Sequence, residues 1–270
     1  NRPFFLYLAH WGPHNPLQAS REDYEALAHI EEHGLRVYAA MLRSLDRSVA
    51  RVTQALADNG LTDNTLILFT SDNGGASIIE QPDINAPYRG WKLTHFEGGL
   101  HVPFIAKWPA KLPAGKTYQQ AVHHMDLMPT IVAAANVALP TDRKIDGVDL
   151  TPFILGERGE PPHRTLFWRE GHQQSVLHEG WKLIRANQPD KSAGTPQKKF
   201  LFHLATDPTE QENLAEQRPD KVAELETLLA AHNAEQVDPI WPSITDGAVM
   251  IDKHGGQPYR PGDDYLYWPN

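Results

Sequence analysis

Ser71-Asp72-Asn73-Gly74-Gly75 ends a run of apolar and β-branched side chains that begins at Leu66. A carboxylate beside an amide oxygen at the carboxyl end of a strand is a hard donor pair, suited to Ca²⁺ or Mg²⁺ rather than zinc. In open α/β sheets, ligands collect beyond that end of the strands. The two glycines let the backbone turn away without a side-chain clash. An Asx turn or a helix N-cap uses the same residues, so this stretch alone leaves local capping open beside metal binding. A second stretch, AHWGPHNP, sets His10 and His14 on a loop stiffened by Pro13 and Pro16. Rigid loops at strand ends hold acid/base groups well, though a loop histidine is often simply solvated. A third, YRGWKLTHFEGGLHVP, gathers Arg89, Lys92, His95 and His101 in an otherwise acidic chain. It reads either as a basic pocket for an anionic substrate or as a polar surface loop before a strand.

These residues need elements to hold them. Phe4 to Ala9 reads as a buried strand, and Leu66 to Thr70 as another. Ser20 is a candidate N-cap, with Glu22 and Asp23 in the turn that follows. Tyr38, Met41, Leu42, Leu45, Val49, Val52 and Leu56 recur at steps of three and four, which predicts one long amphipathic helix stopped by Asn59-Gly60. Strand, helix, strand in this order points to a parallel α/β unit. Residues 76–98, with Pro82, Pro87, Gly90 and Gly98, read as a polar loop, and Val102 to Trp108 as a strand. Asp126 to Val137 reads as a helix with proline in its first turn. Past Pro161-Pro162, strands are expected at Thr165 to Arg169, Ser175 to His178, Trp181 to Arg185 and Phe200 to Leu204. Gly180 and the polar stretch 187–199 would separate them in an antiparallel meander. Pro219 opens a helix with Val222, Leu225, Leu228 and Leu229 on one face, and the tail from Val237 reads as irregular. The expected division is 1–160, an α/β portion; 163–236, a small antiparallel sheet plus helix; and 237–270, the tail.

Composition narrows the functions. With 25 basic and 34 acidic residues the net charge is −9, which argues against nucleic acid as a partner. No apolar run reaches the roughly 18 residues of a membrane span. The absence of cysteine excludes disulfides, thiolate zinc sites and a cysteine nucleophile within the chain. Asn1-Arg2-Pro3 followed by FFLYLA lacks the basic region and small-residue cleavage site of a signal peptide, and reads as a strand cut into mid-protein.

The order and spacing of PFFLYLAHWGPHNPLQ, TLILFTSDNGG, RGWKLTHFEGG, DGVDLTPFILGE and FHLATDPTEQENLA resemble the sulfatase family, in its arylsulfatase A/B-like branch. The resemblance covers most of the chain. It implies an α/β fold: part of an alkaline-phosphatase-like sandwich with a mostly parallel sheet, plus a small C-terminal antiparallel sheet and helix. It implies that Asp72 and Asn73 ligate Ca²⁺ (or Mg²⁺), that His14 faces the sulfate and helps the leaving alcohol, and that Lys92 contacts a sulfate oxygen. His10 and His95 are candidate substrate-binding residues; Trp11, Trp91, His95 and the aromatic tail either line a sugar subsite or pack. Relatives often carry arginine where this chain has His101. The implied partner is a sulfated small molecule or glycan, and the implied location is periplasmic or secreted.

The family nucleophile is a formylglycine made within a Cys/Ser-x-Pro-x-Arg motif, and no such motif occurs in this sequence. The Asp-Asp pair of metal ligands that the family carries near its N-terminus is also lacking. Both are expected in an N-terminal half of the same protein. Two other readings stand beside a sulfuric ester hydrolase: a phosphodiesterase or phosphonate hydrolase of the same superfamily, and a non-catalytic sulfated-glycan binding module. The expectation is that the 270-residue chain alone does not hydrolyse sulfate esters; turnover of an aryl sulfate by the pure chain is the measurement that would overturn it.

Overall fold

A computed structural model describes residues 2–81, 83–170, 173–186, 198–237, 240–241 and 246–269; Pro82 and the expected separator at 187–197 lie outside them. By contacts the chain forms two units, one of residues 1–65 with 108–110 and one of 66–107 with 111–270.

The first unit is helical, with α1 (Arg21–Glu25) and α2 (His33–Asp58). Ser20 caps α1 by accepting from the Asp23 N–H at 3.1 Å, as its residue type leads one to expect. Asp23 is fully buried and bonds to Arg43 at 3.1 Å and to Arg47 at 2.5 and 2.8 Å, which ties α1 to α2. The Arg47 and Ser20 hydrogen bonds hold its carboxyl well below the usual range. α2 stops at Asn59-Gly60, where Gly60 takes a φ of 66°. The strand expected at Phe4 to Ala9 is absent: these residues join no ladder, and Phe4, Phe5, Leu6, Tyr7 and Leu8 are exposed. An apolar run becomes a buried strand only when neighbours flank it, and none does among the described residues.

In the second unit β1 (Ile67–Thr70) pairs with β2 (Phe104–Lys107), from Ile67 opposite Lys107 to Thr70 opposite Phe104. The pair is antiparallel, as is every pairing among the described residues, so no parallel α/β unit is seen there. Short helices flank β2, α3 (Glu97–Leu100) before it and α4 (Leu127–Ala134) and α5 (Thr151–Ile154) after it. Asp126, at the start of α4, is fully buried and accepts from the N–H groups of His123 and Val148 and from His163 Nε2.

The meander forms as its alternation predicts, in the order β3 (Thr165–Glu170), β4 (Gln173–His178), β5 (Trp181–Ala186), β6 (Lys198–His203). Lys198 and Lys199 belong to β6 rather than to a separator. The β4–β5 turn has φ of 49° at Glu179 and 81° at Gly180, the backbone twist that a two-residue hairpin needs. On one face Val176, Leu183 and Leu201 pack against Val222, Leu225 and Leu229 of α6 (Pro219–Ala234). On the other, Ile184, Phe200 and Phe202 pack with Phe96, Ile251 and Leu266. The last two come from the tail, which is not irregular throughout: β7 (Asp246–Met250) and β8 (Tyr265–Pro269) pair antiparallel. Phe202→Ala should empty the centre of that second face and cost about 3–5 kcal/mol, read as a lowered urea midpoint.

Candidate functional site

The Asp72–Asn73 pair directly follows β1. Asp72 is exposed, and no described residue bonds to its carboxylate. Asn73 commits its amide nitrogen to the Gly74 carbonyl at 2.9 Å, leaving the amide oxygen uncommitted. Ser71 Oγ donates to the Asn73 carbonyl at 2.9 Å, and His124 Nε2 donates to the Ser71 carbonyl at 3.0 Å. Two uncommitted hard oxygens on consecutive residues fit a share of a Ca²⁺ shell, which takes six to eight oxygens. No group of three or more His, Asp or Glu able to hold a metal occurs among the described residues.

What fixes this turn is backbone packing. Gly74 N–H donates to the Gly99 carbonyl at 3.0 Å, and Lys92 N–H donates to the Gly75 carbonyl at 2.9 Å. Asn85 closes the loop: its Oδ1 accepts from Gly75 N–H at 2.7 Å and its Nδ2 donates to the carbonyls of Gly75 and Gly90. A Cβ on Gly74 would lie 1.7 Å from the Gly98 carbonyl oxygen, one on Gly98 2.2 Å from that of Gly90, and one on Gly99 2.1 Å from that of Thr94. Gly74 and Gly75 therefore serve close approach; neither has positive φ. The two motifs SDNGG and EGG are pressed main chain to main chain.

This contact brings Lys92 to the Asp72–Asn73 turn. Lys92 is half-buried, and its ammonium has no acceptor among the described residues. The other members of the expected basic pocket are not available to an anion in the same way. Arg89 is held in a two-pronged pair with Asp252 at 2.6 and 2.7 Å. His101 Nδ1 bonds to Glu97 Oε2 at 2.9 Å and its ring stacks on Tyr88. His95 is 3 % exposed, with Nδ1 3.1 Å from Ser175 Oγ, so its ring packs under the meander.

In the other unit, His14 is exposed and donates from Nδ1 to the Asn15 carbonyl at 2.8 Å, which leaves Nε2 uncommitted. Trp11 stands edge-on to it at 5.3 Å. His10 Nε2 lies 2.8 Å from Ser48 Oγ on α2.

Sequence reading did not pick out Asn85, His124, Lys182 or Glu210. Asn85 sits in a proline-rich loop that carries no signal. Lys182 follows Trp181 in the motif Trp-Lys-Leu, and its alternation with Ile184 was the clue that it faces inward.

Two family models match the chain: Sulfatase over residues 1–137, and N-sulphoglucosamine sulphohydrolase, C-terminal, over residues 90–235. The chain belongs to the sulfatase family. It is 37 % identical to the uncharacterized sulfatase YdeN of Escherichia coli (strain K12) over 170 residues, 62 % of this chain and 30 % of that protein. It is 40 % identical to the N-acetylgalactosamine-6-sulfatase of Canis lupus familiaris over 172 residues, 63 % of this chain and 31 % of that protein. The crystal structure of Ps i-CgsB in complex with k-i-k-neocarrahexaose superposes with a TM-score of 0.78 at 30 % identity, covering 88 % of this chain and 52 % of that one. The chain thus spans about a third of these curated relatives and about half of that solved structure. The phosphonate monoester hydrolase of Agrobacterium radiobacter, at 23 % identity and a TM-score of 0.53 over 74 % of this chain and 41 % of that one, shares the fold alone. Among the described residues no helix is long and apolar enough to cross a membrane.

Burial first, and the nearby Lys182 charge second, lower the His95 pKa from 6.5 to about 3. The unfolded chain then binds a proton that the folded chain refuses, so this group's contribution to stability is lost as pH falls from 6.5 toward 3. Between pH 6.5 and 5.5 the wild type should lose about 1 kcal/mol more than His95→Gln, read by urea titration at each pH.

Proposed function

We propose that the polypeptide carrying this chain is a sulfuric ester hydrolase, and that these residues supply half of its metal shell and part of its sulfate grip. The observation that carries the reading is the uncommitted Asp72–Asn73 oxygens locked by main-chain bonds next to a half-buried lysine, Lys92, with no counter-ion among the described residues.

Cleaving a sulfate ester moves negative charge onto the bridging and peripheral oxygens. Asp72 and Asn73 would hold Ca²⁺ (Mg²⁺ in its place is the alternative), and that ion would draw charge from a sulfate oxygen when bound. Lys92 places a full positive charge on a partly desolvated stem. Such a cation stabilises developing oxyanion charge more strongly than one in bulk water. The resemblance assigns the leaving alcohol's proton to His14, whose uncommitted Nε2 would supply it from the imidazolium form. The nucleophile comes from the N-terminal part, as a formylglycine.

The names of relatives support a sulfated sugar as the substrate class, with aryl sulfates as simpler surrogates. A non-catalytic glycan-binding role and phosphonate hydrolysis remain as outcomes of the test. The test is turnover of an aryl sulfate by the full polypeptide with Ca²⁺. Lys92→Ala should lower kcat/KM by about 10²–10³-fold, as loss of one oxyanion donor does. Chelation of Ca²⁺ should abolish turnover in the wild type. Turnover of a phosphonate ester in preference to the sulfate ester would sink the reading, as would sulfate-ester binding without hydrolysis.

A further inference from the structure

Lys182 on β5 is 1 % exposed, on the sheet face that otherwise carries Ile184, Phe200 and Phe202. A lysine is placed there only with partners. Its Nζ donates to Glu97 Oε1 at 2.6 Å and lies 2.9 Å from Glu210 Oε1. Glu210, fully buried, accepts the Glu97 backbone N–H on Oε2 at 2.6 Å, and its own carbonyl accepts from Arg89 at 3.1 Å. Lys182, Glu97 and Glu210 thus close a ring that includes the first N–H of α3.

α3 is also the segment that bears Gly98 and Gly99. Gly98 N–H donates to the Arg89 carbonyl at 2.7 Å, and the Gly99 carbonyl receives Gly74 N–H at 3.0 Å. Any displacement of Glu97 moves Gly99 two residues on. With a Cβ-sized gap absent at Gly74, Gly98 and Gly99, that displacement cannot be absorbed locally. Burial pushes the Glu97 carboxyl up, but Lys182, with help from His101, overcomes it and holds the group down at about 2, so it stays charged. Burial raises the Glu210 carboxyl, with Lys182 opposing.

We propose that Lys182 is a positioning residue for the Asp72–Asn73 pair: through Glu97 and Glu210 it locks α3, and α3 locks the SDNGG turn by the Gly99–Gly74 bond. The small C-terminal sheet is then part of the support of the metal-ligand turn. The catalytic meaning of this rests on the sulfatase reading; the mechanical link does not.

The test is hydrogen exchange of the full polypeptide as wild type, Lys182→Met and Glu97→Gln, the last keeping side-chain volume in case the first does not fold. In both variants amides in the 71–76 segment should exchange at least about tenfold faster, the scale of losing one partner of a buried pair, with α6 protected as before. The Ca²⁺ concentration for half of the calcium-induced thermal shift should rise about tenfold or more, as when support behind a metal ligand is removed. Faster exchange confined to β3–β6 and α6, with 71–76 and the Ca²⁺ response as in the wild type, would overturn the proposal and leave Lys182 a residue of the small sheet. A wild type that turns over no sulfate ester would sink the functional reading alone, because exchange at 71–76 is read without substrate.

Discussion

The hydrogen bond from Gly74 to the Gly99 carbonyl, made where no side chain fits, is the constraint on which the candidate site depends. Glycine costs conformational entropy in any ordered segment, so a cluster of glycines packed against one another must return something in close contact. Here it returns rigidity. Asn85 adds three bonds to the same main chain, and Lys92 adds a fourth through its own N–H. The carboxylate of Asp72, the amide oxygen of Asn73 and the ammonium of Lys92 are left without partners among the described residues, on a backbone held at Gly74, Gly75 and Lys92.

How much of this was readable in advance depended on whether the cause was local. The long helix α2, the capped start at Ser20, the four strands of the meander and helix α6 follow from side-chain spacing and capping chemistry, and all are present. The Asp72–Asn73 turn was legible because an apolar strand ended in hard donors. The tail was not. Pro, Gly and Asp dominate the stretch between Met250 and Tyr265, and they masked a strand at each end whose partner is the other. Phe4 to Ala9 failed for the opposite reason: its pattern states a preference that only neighbouring strands can satisfy. His95 shows the limit of judging by company. Arg89, Lys92 and His101 lie within a few residues of it in sequence, yet the meander 80 residues on supplies Ser175 and buries it.

The charged groups inside the second unit make a similar point. Composition scales count lysine as surface, so only its alternation with Ile184 pointed Lys182 inward. It is tolerated because two carboxylates from distant segments reach it, Glu97 from the EGG turn and Glu210 from TDPTEQEN. Breaking such a network by removing one member costs far more than the network contributes relative to an apolar core. Its presence therefore speaks for specificity of arrangement more than for raw stability.

Phe4 to Leu8 has a physical-chemical consequence of its own. Five successive exposed apolar residues, without charge or proline among them, form a stretch of high β-propensity that joins no ladder among the described residues. Two copies meeting at this stretch can satisfy each other edge to edge. The net charge of −9 opposes the encounter at low ionic strength, and salt screens that opposition over a length near 10 Å at about 0.1 M. For the 270-residue chain in isolation, association through this stretch is therefore expected to strengthen as salt rises.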